Sequence, residues 1–315
     1  FFRWRTACTG AEMFCHGILD HSNVPNRRLR ELEELFRRLA QLPGLGDTTL
    51  RSPAAILYSA DQEFALKNQT QSDGFAYWTQ LRLFHEACVG LGVNVDVIRE
   101  DAPLDNYQVV LVPTHLVTDP DLASRLEDFA RRGGTVVITN RSGVQDKNGN
   151  CILGQELPTV FRDLCGCHVT EYDPIGPVKQ TVNLTKGGTY QITSWCDLLE
   201  LDTAQAWARY QGRFYSGVPA VAKNRFGEGT AYYVGTVGEK AMYRTLLIEA
   251  FRERGVPLLE TLPQGVEVTT RSGEGGTYQF FFNNTVHGQN FQLQGERVHL
   301  RPLEMKIRTE KEVWV

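Results

Sequence analysis

The sequence predicts an α/β protein whose largest part is a doubly wound parallel sheet. From Pro53 onward, short apolar runs such as 54–58 (AAILY) alternate with longer stretches that carry apolar residues at helical spacing. Strands that are apolar on both faces and are joined by helices are typical of a parallel sheet covered on both sides. After Pro263 the short strands follow one another with no helix between them. That change predicts a small antiparallel β domain at the end of the chain.

The first 46 residues predict a strand over 1–5 (FFRWR), a helix over about 10–20 and a second helix over 27–42. The second helix has a leucine-rich face opposite a face of Arg and Glu, which is typical of an amphipathic surface helix. These elements have little core of their own and are followed by a linker at 43–47 (PGLGD). We therefore expect 1–46 to be the end of a larger domain, with a further segment before residue 1, because the chain begins without Met inside an apparent strand.

The α/β part is predicted to cover 53–262. Its predicted strands are 54–58, 93–98, 107–112, 135–139 and about 168–172, followed by a hairpin over 219–234 that turns at 226–229. Its predicted helices are 74–91, 120–132 and 239–254. The β part, 263–315, has predicted strands at 266–270, 278–282, 291–293 and 303–307.

The charge of the chain limits which partners we expect, and its cysteine content indicates the cellular compartment. The formal net charge is −4 and basic residues alternate with acidic ones, so we expect no nucleic-acid and no anionic-membrane partner. No run approaches the roughly 20 apolar residues of a membrane span. Seven cysteines, an odd number spread over the chain, argue against a disulfide scaffold and predict a cytoplasmic location. The pair Cys165 and Cys167 has no second pair nearby, so we expect no metal site.

Glu12 and His16 are the first candidates for a functional role. On the predicted helix their spacing places a carboxylate and an imidazole one turn apart on the same face. Such a pair can contact a ligand, and it can equally be a solvent-exposed pair without a function. Spacing alone does not decide between these interpretations.

The segments 1–5 (FFRWR), 12–21 (EMFCHGILDH) and 23–28 (NVPNRR) resemble the eighth strand and following helix of the (β/α)₈ barrel in bacterial β-galactosidases of glycoside hydrolase family 42. The resemblance implies a barrel remnant, a flavodoxin- or amidotransferase-like trimerisation domain and a C-terminal β domain. It implies that Glu12 and His16 bind the galactoside substrate. Family members hydrolyse galactosides with retention, using two carboxyl groups about 5 to 5.5 Å apart. The resemblance places both upstream of residue 1, so we expect no catalytic residue in this chain and no activity from the chain alone.

The loop 140–148 (NRSGVQDKN) follows a predicted strand at the edge where open α/β sheets bind ligands. It could hold a polar ligand. It also resembles a stretch of the family's middle domain, which implies a homotrimer. Arg141 and Asp146 are then expected at a subunit interface or at the border of a neighbouring active site, or in a structural role.

Two other functions compete with this interpretation. A free-standing amidotransferase-like hydrolase needs a nucleophile on a tight turn and a histidine to activate it. The chain has no Gly-x-Cys-x-Gly motif, and we expect His115 to be a structural loop residue and Cys88 a core thiol. A non-catalytic carbohydrate-binding module is the third hypothesis. No Gly-x-Gly-x-x-Gly and no phosphate-binding Gly-x-x-x-x-Gly-Lys motif follows a predicted strand, so we expect no cofactor.

Overall fold

The computed structural model describes residues 2–310 and Trp314. Its α-helices are α1 (Arg27–Leu39), α2 (Ala60–Asn68), α3 (Tyr77–Val89), α4 (Pro120–Arg131), α5 (Arg162–Cys165) and α6 (Lys240–Glu253). Its first eight strands are β1 (Thr48–Leu50), β2 (Ala54–Tyr58), β3 (Val95–Arg99), β4 (Val109–Val112), β5 (Thr135–Thr139), β6 (Cys167–Leu184), β7 (Thr189–Leu201) and β8 (Gln205–Gln211). The others are β9 (Pro219–Phe226), β10 (Gly229–Val234), β11 (Thr236–Gly238), β12 (Val266–Gly273), β13 (Gly276–Asn283), β14 (Gln289–Leu293), β15 (Glu296–Leu300) and β16 (Met305–Thr309).

The chain forms two compact units. One unit holds the described residues among 1–50, 270–280 and 306–315, and the other holds 51–269 and 281–305. Among the helices of the described residues, none is both long and apolar enough to cross a membrane.

The larger unit is built on a ten-stranded mixed sheet in the order β11-β7-β6-β8-β9-β10-β5-β4-β2-β3. From β10 to β3 all neighbours are parallel, which confirms the predicted doubly wound sheet. From β11 to β10 all neighbours are antiparallel, and the sequence did not predict β7 or β8. The helix α2 was missed as well, because it lacks the apolar stripe by which an amphipathic helix is recognised.

Helices cover both faces of the parallel half, which explains why its strands are apolar throughout. Along β4, Val109 and Leu111 belong to one hydrophobic cluster, whereas Val110 and Val112 belong to another. The first cluster includes residues of α3 and α6, and the second includes residues of α4 and α5. Successive side chains of a strand point to opposite faces, so both sets must be apolar when both faces are covered.

The order of the parallel strands places a topological switch point between β2 and β4. In chain order, the five parallel strands β2, β3, β4, β5 and β10 are arranged second, first, third, fourth, fifth, as in flavodoxin-like sheets. The connections therefore leave β2 and β4 in opposite directions, which opens a crevice beyond their carboxyl ends. Ligands of open α/β sheets bind at this kind of position.

The remaining strands follow the predicted antiparallel pattern. One sheet has the order β1-β12-β13-β16, and β14 and β15 form a separate hairpin. The prediction missed β15, and β1 reaches this sheet by pairing with β12. In α1, Asn26 caps the first turn because its side chain accepts a hydrogen bond from the backbone N–H of Leu29 at 3.1 Å.

The predictions of a strand over 1–5 and a helix over 10–20 are wrong. Phe1 lies outside the described residues, and residues 2–5 form only an isolated bridge, between Arg5 and Leu19. The backbone N–H of Phe14 donates to Ala7 O at 3.0 Å and that of Leu19 to Trp4 O at 2.8 Å. These donors are thus unavailable for helical i to i−4 hydrogen bonds.

Candidate functional site

Glu12 and His16 both lie on the exposed side of the N-terminal segment, but they do not share a helix face. Arg3 Nη2 donates to Glu12 Oε2 at 2.8 Å, and the Glu12 side chain is 65% exposed. His16 has a backbone φ of 54°, and its ring makes an edge-to-face contact with the ring of Phe2, with the two ring centroids 6.0 Å apart. The ion pair with Arg3 orients the Glu12 carboxylate while leaving it accessible. An oriented, accessible carboxylate can accept hydrogen bonds from ligand hydroxyl groups.

Gly17 allows this arrangement to form. Its φ is +111°, and a Cβ atom at this position would lie 2.5 Å from the backbone nitrogen of Thr6. The two stretches 3–7 and 13–19 can approach closely only because residue 17 has no side chain. The geometry of Glu12 and His16 therefore depends on this glycine.

Arg141 is buried and holds the loop that follows α2. Its guanidinium donates to the backbone oxygens of Thr70 and Gln69, both at 2.7 Å, and to Gln71 Oε1 at 3.0 Å. Its side chain also lies over the Trp195 ring, 4.7 Å from the centroid. Burial lowers the pKa of Arg141 to about 10. The Arg141 side chain thus contacts residues 69–71 and Trp195 of its own unit.

A buried carboxylate that the sequence prediction missed lies next to Arg141. Asp197 accepts hydrogen bonds from Trp195 Nε1 at 2.7 Å and from the Tyr233 hydroxyl at 2.8 Å. Burial raises its pKa from 3.8 to about 6, although these donors and Arg141 act in the opposite direction. The signal was in the sequence, because 195–199 (WCDLL) places one acid inside an otherwise apolar strand.

Asp146 shapes the exposed loop after β5. Its Oδ1 accepts hydrogen bonds from the backbone N–H of Asn148 at 2.8 Å and of Asn150 at 2.9 Å. The bond from Asn150 contributes most to lowering the pKa of Asp146. Arg141 and Asp146 thus belong to one loop but differ in environment, since the first is buried and the second only half-buried.

The turn after β4 does not carry the nucleophile that an amidotransferase-like hydrolase needs. Thr114 occupies the strained turn position with φ 41°, but it is fully buried and its backbone N–H donates to Thr139 Oγ1 at 2.7 Å. His115 is buried beside it, with its backbone N–H on Ser142 Oγ at 2.9 Å. Burial raises the pKa of the Cys88 thiol, which keeps it protonated and a poor nucleophile.

Three family models match consecutive parts of the chain. The model described as "Beta-galactosidase" matches residues 1–42, "Beta-galactosidase trimerisation domain" matches 52–257, and "Beta-galactosidase C-terminal domain" matches 265–307. The trimerisation-domain model alone covers more than half of the sequence.

Curated relatives and solved structures agree with these matches. A β-galactosidase from Clostridium cellulovorans is 41% identical over 285 residues, which is 90% of this chain and 43% of the relative. One from an Arthrobacter species is 30% identical, over 95% of this chain and 43% of the relative. The crystal structure of a β-galactosidase from Bacillus circulans sp. alkalophilus superimposes with a TM-score of 0.87 at 27% identity, covering 98% of this chain and 49% of that one. The chain therefore spans about half the length of the relatives it matches.

Proposed function

This chain belongs to the β-galactosidases of glycoside hydrolase family 42, and from that premise we propose that it is the C-terminal part of an enzyme that hydrolyses terminal β-D-galactosides. The observation that carries the proposal is the uninterrupted order of the three matched segments, from 1–42 through 52–257 to 265–307. In this proposal 1–46 completes a catalytic barrel, 53–262 serves oligomerisation, and 263–315 is the C-terminal β domain. The two catalytic carboxyl groups of a retaining hydrolase belong to the part of the enzyme that precedes residue 1.

Glu12 and His16 are the residues of this chain that we propose to bind galactose. The Glu12 carboxylate, oriented by Arg3 at 2.8 Å, would accept hydrogen bonds from two sugar hydroxyls. The imidazole of His16 would donate or accept one more. Hydrogen bonds of this kind lower the barrier when they are shorter and stronger in the oxocarbenium-like transition state than with bound substrate.

A chimaera tests this role. The chain would replace the matching C-terminal part of the Clostridium cellulovorans relative, and hydrolysis of a chromogenic galactoside would be measured. We expect an active chimaera and no hydrolysis by the 315-residue chain alone. Glu12→Gln should lower kcat/KM about 10- to 100-fold, because charged hydrogen bonds contribute about 1.5 to 3 kcal/mol.

Glu34→Gln is the matched control, since Glu34 is also an exposed glutamate paired with an arginine, Arg37. It should leave kcat/KM unchanged. A Glu12→Gln chimaera as active as its parent would contradict the proposed contact with galactose. Hydrolysis by the chain alone would contradict the proposed location of the catalytic carboxyl groups.

We also propose that the chain forms a homotrimer through its larger unit. The description of the matched trimerisation model supports this, as does an exposed tryptophan, Trp78, on the unit's surface. Trp78 is 54% exposed and its ring centroid lies 5.3 Å from that of Tyr58. The loop that carries Asp146 and the segment 69–71 held by Arg141 are proposed to border a neighbouring subunit. Light scattering should give three times the 35.5 kDa mass of the chain.

We propose the cytoplasm as the compartment. The supporting observation is that all seven cysteines are unpaired, three of them exposed.

A further inference from the structure

Asp197 is a buried carboxyl group that the proposed hydrolysis does not use. It lies on β7 in the larger unit, as do the three donors that bind it. Its Oδ1 accepts a hydrogen bond from Trp195 Nε1 at 2.7 Å, and its Oδ2 accepts one from the Tyr233 hydroxyl at 2.8 Å. The backbone N–H of Arg141 also donates to it. These donors favour the ionised carboxylate, whereas burial favours the protonated form.

Arg141 is a buried cation whose hydrogen-bond acceptors are neutral. These acceptors are the backbone oxygens of Gln69 and Thr70 and the side-chain amide oxygen of Gln71. Removing a cation from water is costly unless an opposite charge stabilises it. Among the charges that act on Arg141, that of Asp197 has the largest effect. Ionised Asp197 is therefore the counter-charge of this guanidinium.

Trp195 lies in contact with both charges. Its Nε1 donates to Asp197, and its ring centroid lies 4.7 Å from the guanidinium carbon of Arg141. Arg141 lowers the pKa of Asp197, against the larger effect of burial. Coupling of this kind is reciprocal, so ionisation of Asp197 must stabilise Arg141 in its observed position by the same free energy.

Asp197 is the group of this cluster whose charge changes between pH 5 and pH 8. The titratable side chains that face it are Cys167 and Tyr172 of β6, Tyr210 of β8, Tyr233 of β10 and Arg141 after β5. Burial raises the pKa of Cys167 to about 12 and the pKa values of Tyr210 and Tyr233 well above their ordinary value. Burial lowers the pKa of Arg141 only to about 10, so it stays a cation. Burial raises the pKa of Asp197 to about 6.

The segment that Arg141 holds, residues 69–76, connects α2 to α3. Besides its hydrogen bonds to 69–71, the guanidinium carbon lies 5.6 Å from the centroid of the Phe75 ring. That ring is buried and packs on Trp195, with the two ring centroids 6.2 Å apart. Most other residues of the segment are exposed. Movement of the Arg141 side chain would therefore loosen both ends of the segment.

We propose that Asp197 and Arg141 form a proton-controlled latch on the segment 69–76, in which the ionised carboxylate keeps the guanidinium on the segment and protonation of Asp197 loosens it. A proton that weakens the latch binds more tightly to the open form, so opening is favoured as the pH falls. Residues 69–71 are also proposed to border a neighbouring subunit, so the trimer should dissociate more readily at low pH. This consequence rests on the proposed trimer, whereas the latch does not.

Hydrogen exchange of the 315-residue chain, measured by mass spectrometry on peptides that cover 69–80, tests the latch. The backbone N–H of Phe75 donates to Ser72 O at 3.3 Å and reports on the closed segment. At pH 8, exchange should be about fivefold faster in Asp197→Asn than in the unmodified chain, because only the latter carries the counter-charge. At pH 5 both are uncharged at this position and should exchange at the same rate. The chemical exchange rate cancels because each comparison is made at one pH.

Peptides of α4 are the internal control. Ionisation of the buried Asp197 lowers the stability of the whole fold, so Asp197→Asn should not speed exchange in α4 at pH 8. Asp105→Asn, at an exposed aspartate paired with Arg132, is the matched control variant and should leave exchange over 69–80 unchanged. Tyr233→Phe is a second variant, which removes a hydrogen bond to Asp197 and so raises its pKa. It should move the pH at which the segment loosens to a higher value.

Three outcomes would overturn the latch. Equal exchange over 69–80 at pH 8 would show that Asp197 does not control the segment. The same acceleration at pH 5 and pH 8 would assign it to the Asn side chain itself. Slower exchange in Asp197→Asn at pH 8 would mean that only global stability responds. Light scattering of the same samples separates the two proposals, since monomers that show the expected exchange would support the latch and contradict only the trimer. If Asp197→Asn does not fold, Tyr233→Phe decides, and an unchanged transition pH would overturn the latch.

Discussion

Replacing Asp197 tests the buried cluster around Arg141 and Trp195 through the pH dependence of stability. Asp197 is 3% exposed and burial raises its pKa from 3.8 to about 6. A carboxyl group whose folded-state pKa lies above the unfolded value stabilises the fold while both states are protonated. That stability is lost as the pH rises through the folded-state pKa.

The magnitude follows from the two pKa values. They differ by about two units, which corresponds to about 3 kcal/mol of unfolding free energy lost between about pH 3 and pH 7. Roughly half of this loss falls between pH 5 and pH 8, where the chain can be handled conveniently. Asp197→Asn has no titrating group at this position and should not show the loss.

The assay is urea unfolding at pH 5, 6, 7 and 8, followed by tryptophan fluorescence because Trp195 donates to Asp197. The unfolding free energy of the unmodified chain minus that of Asp197→Asn should fall by about 1 kcal/mol over this range. Asp105→Asn is the control, at an exposed aspartate that is paired with Arg132. Its unfolding free energy should change with pH in the same way as that of the unmodified chain. A constant difference between the unmodified chain and Asp197→Asn would refute the raised pKa.

Three further changes test other parts of the structure. Arg141→Lys should lower the unfolding free energy by about 3 kcal/mol in urea, because one ammonium cannot replace the three guanidinium hydrogen bonds, and unchanged stability would contradict this role. Gly17→Ala should greatly speed backbone hydrogen exchange over 14–19, because the added Cβ would clash with the backbone of Thr6. Gly10→Ala is the control: Gly10 also has a positive φ, but no atom lies within 4 Å of the added Cβ, so the effect on exchange should be smaller. Equal effects of the two changes would refute the close approach to Thr6. Trp78→Glu should convert the proposed trimer into monomers by light scattering, and a persistent trimer would place the interface elsewhere.

Strands and helices with a regular apolar pattern could be predicted well from the sequence. We recognised parallel strands such as 54–58 and 135–139 because burial on both faces requires a continuous apolar run. We recognised the helices near 120–131 and 240–253 because burial of one face requires apolar residues at helical spacing. The strands β7 and β8 were missed, since their long antiparallel pairing includes bulges that break a simple alternation. The helix α2 was missed because it has no apolar stripe.

The candidate sites were predictable only in part. Glu12 and His16 were chosen as candidates through the family resemblance, but the helix predicted for them was wrong. Backbone hydrogen bonds between their segment and residues 3–7 replace the helical hydrogen bonds that the spacing suggested. The loop 140–148 was identified, yet the sequence could not tell that Arg141 is buried and Asp146 only half-buried. Asp197 was missed because its importance comes from partners distant in the chain, Tyr233 among them.

The sequence by itself determined the apolar pattern of the α/β part, the change after Pro263 to short strands without helices, and the family to which the chain belongs. Tertiary structure alone decided which polar groups meet. Gln62, Glu100 and His115 come from three separate connections, and only the order of strands in the sheet brings them to one cavity. The physical reason is that hydrogen bonding and desolvation act over a few ångströms in space, whereas sequence patterns record neighbours along the chain.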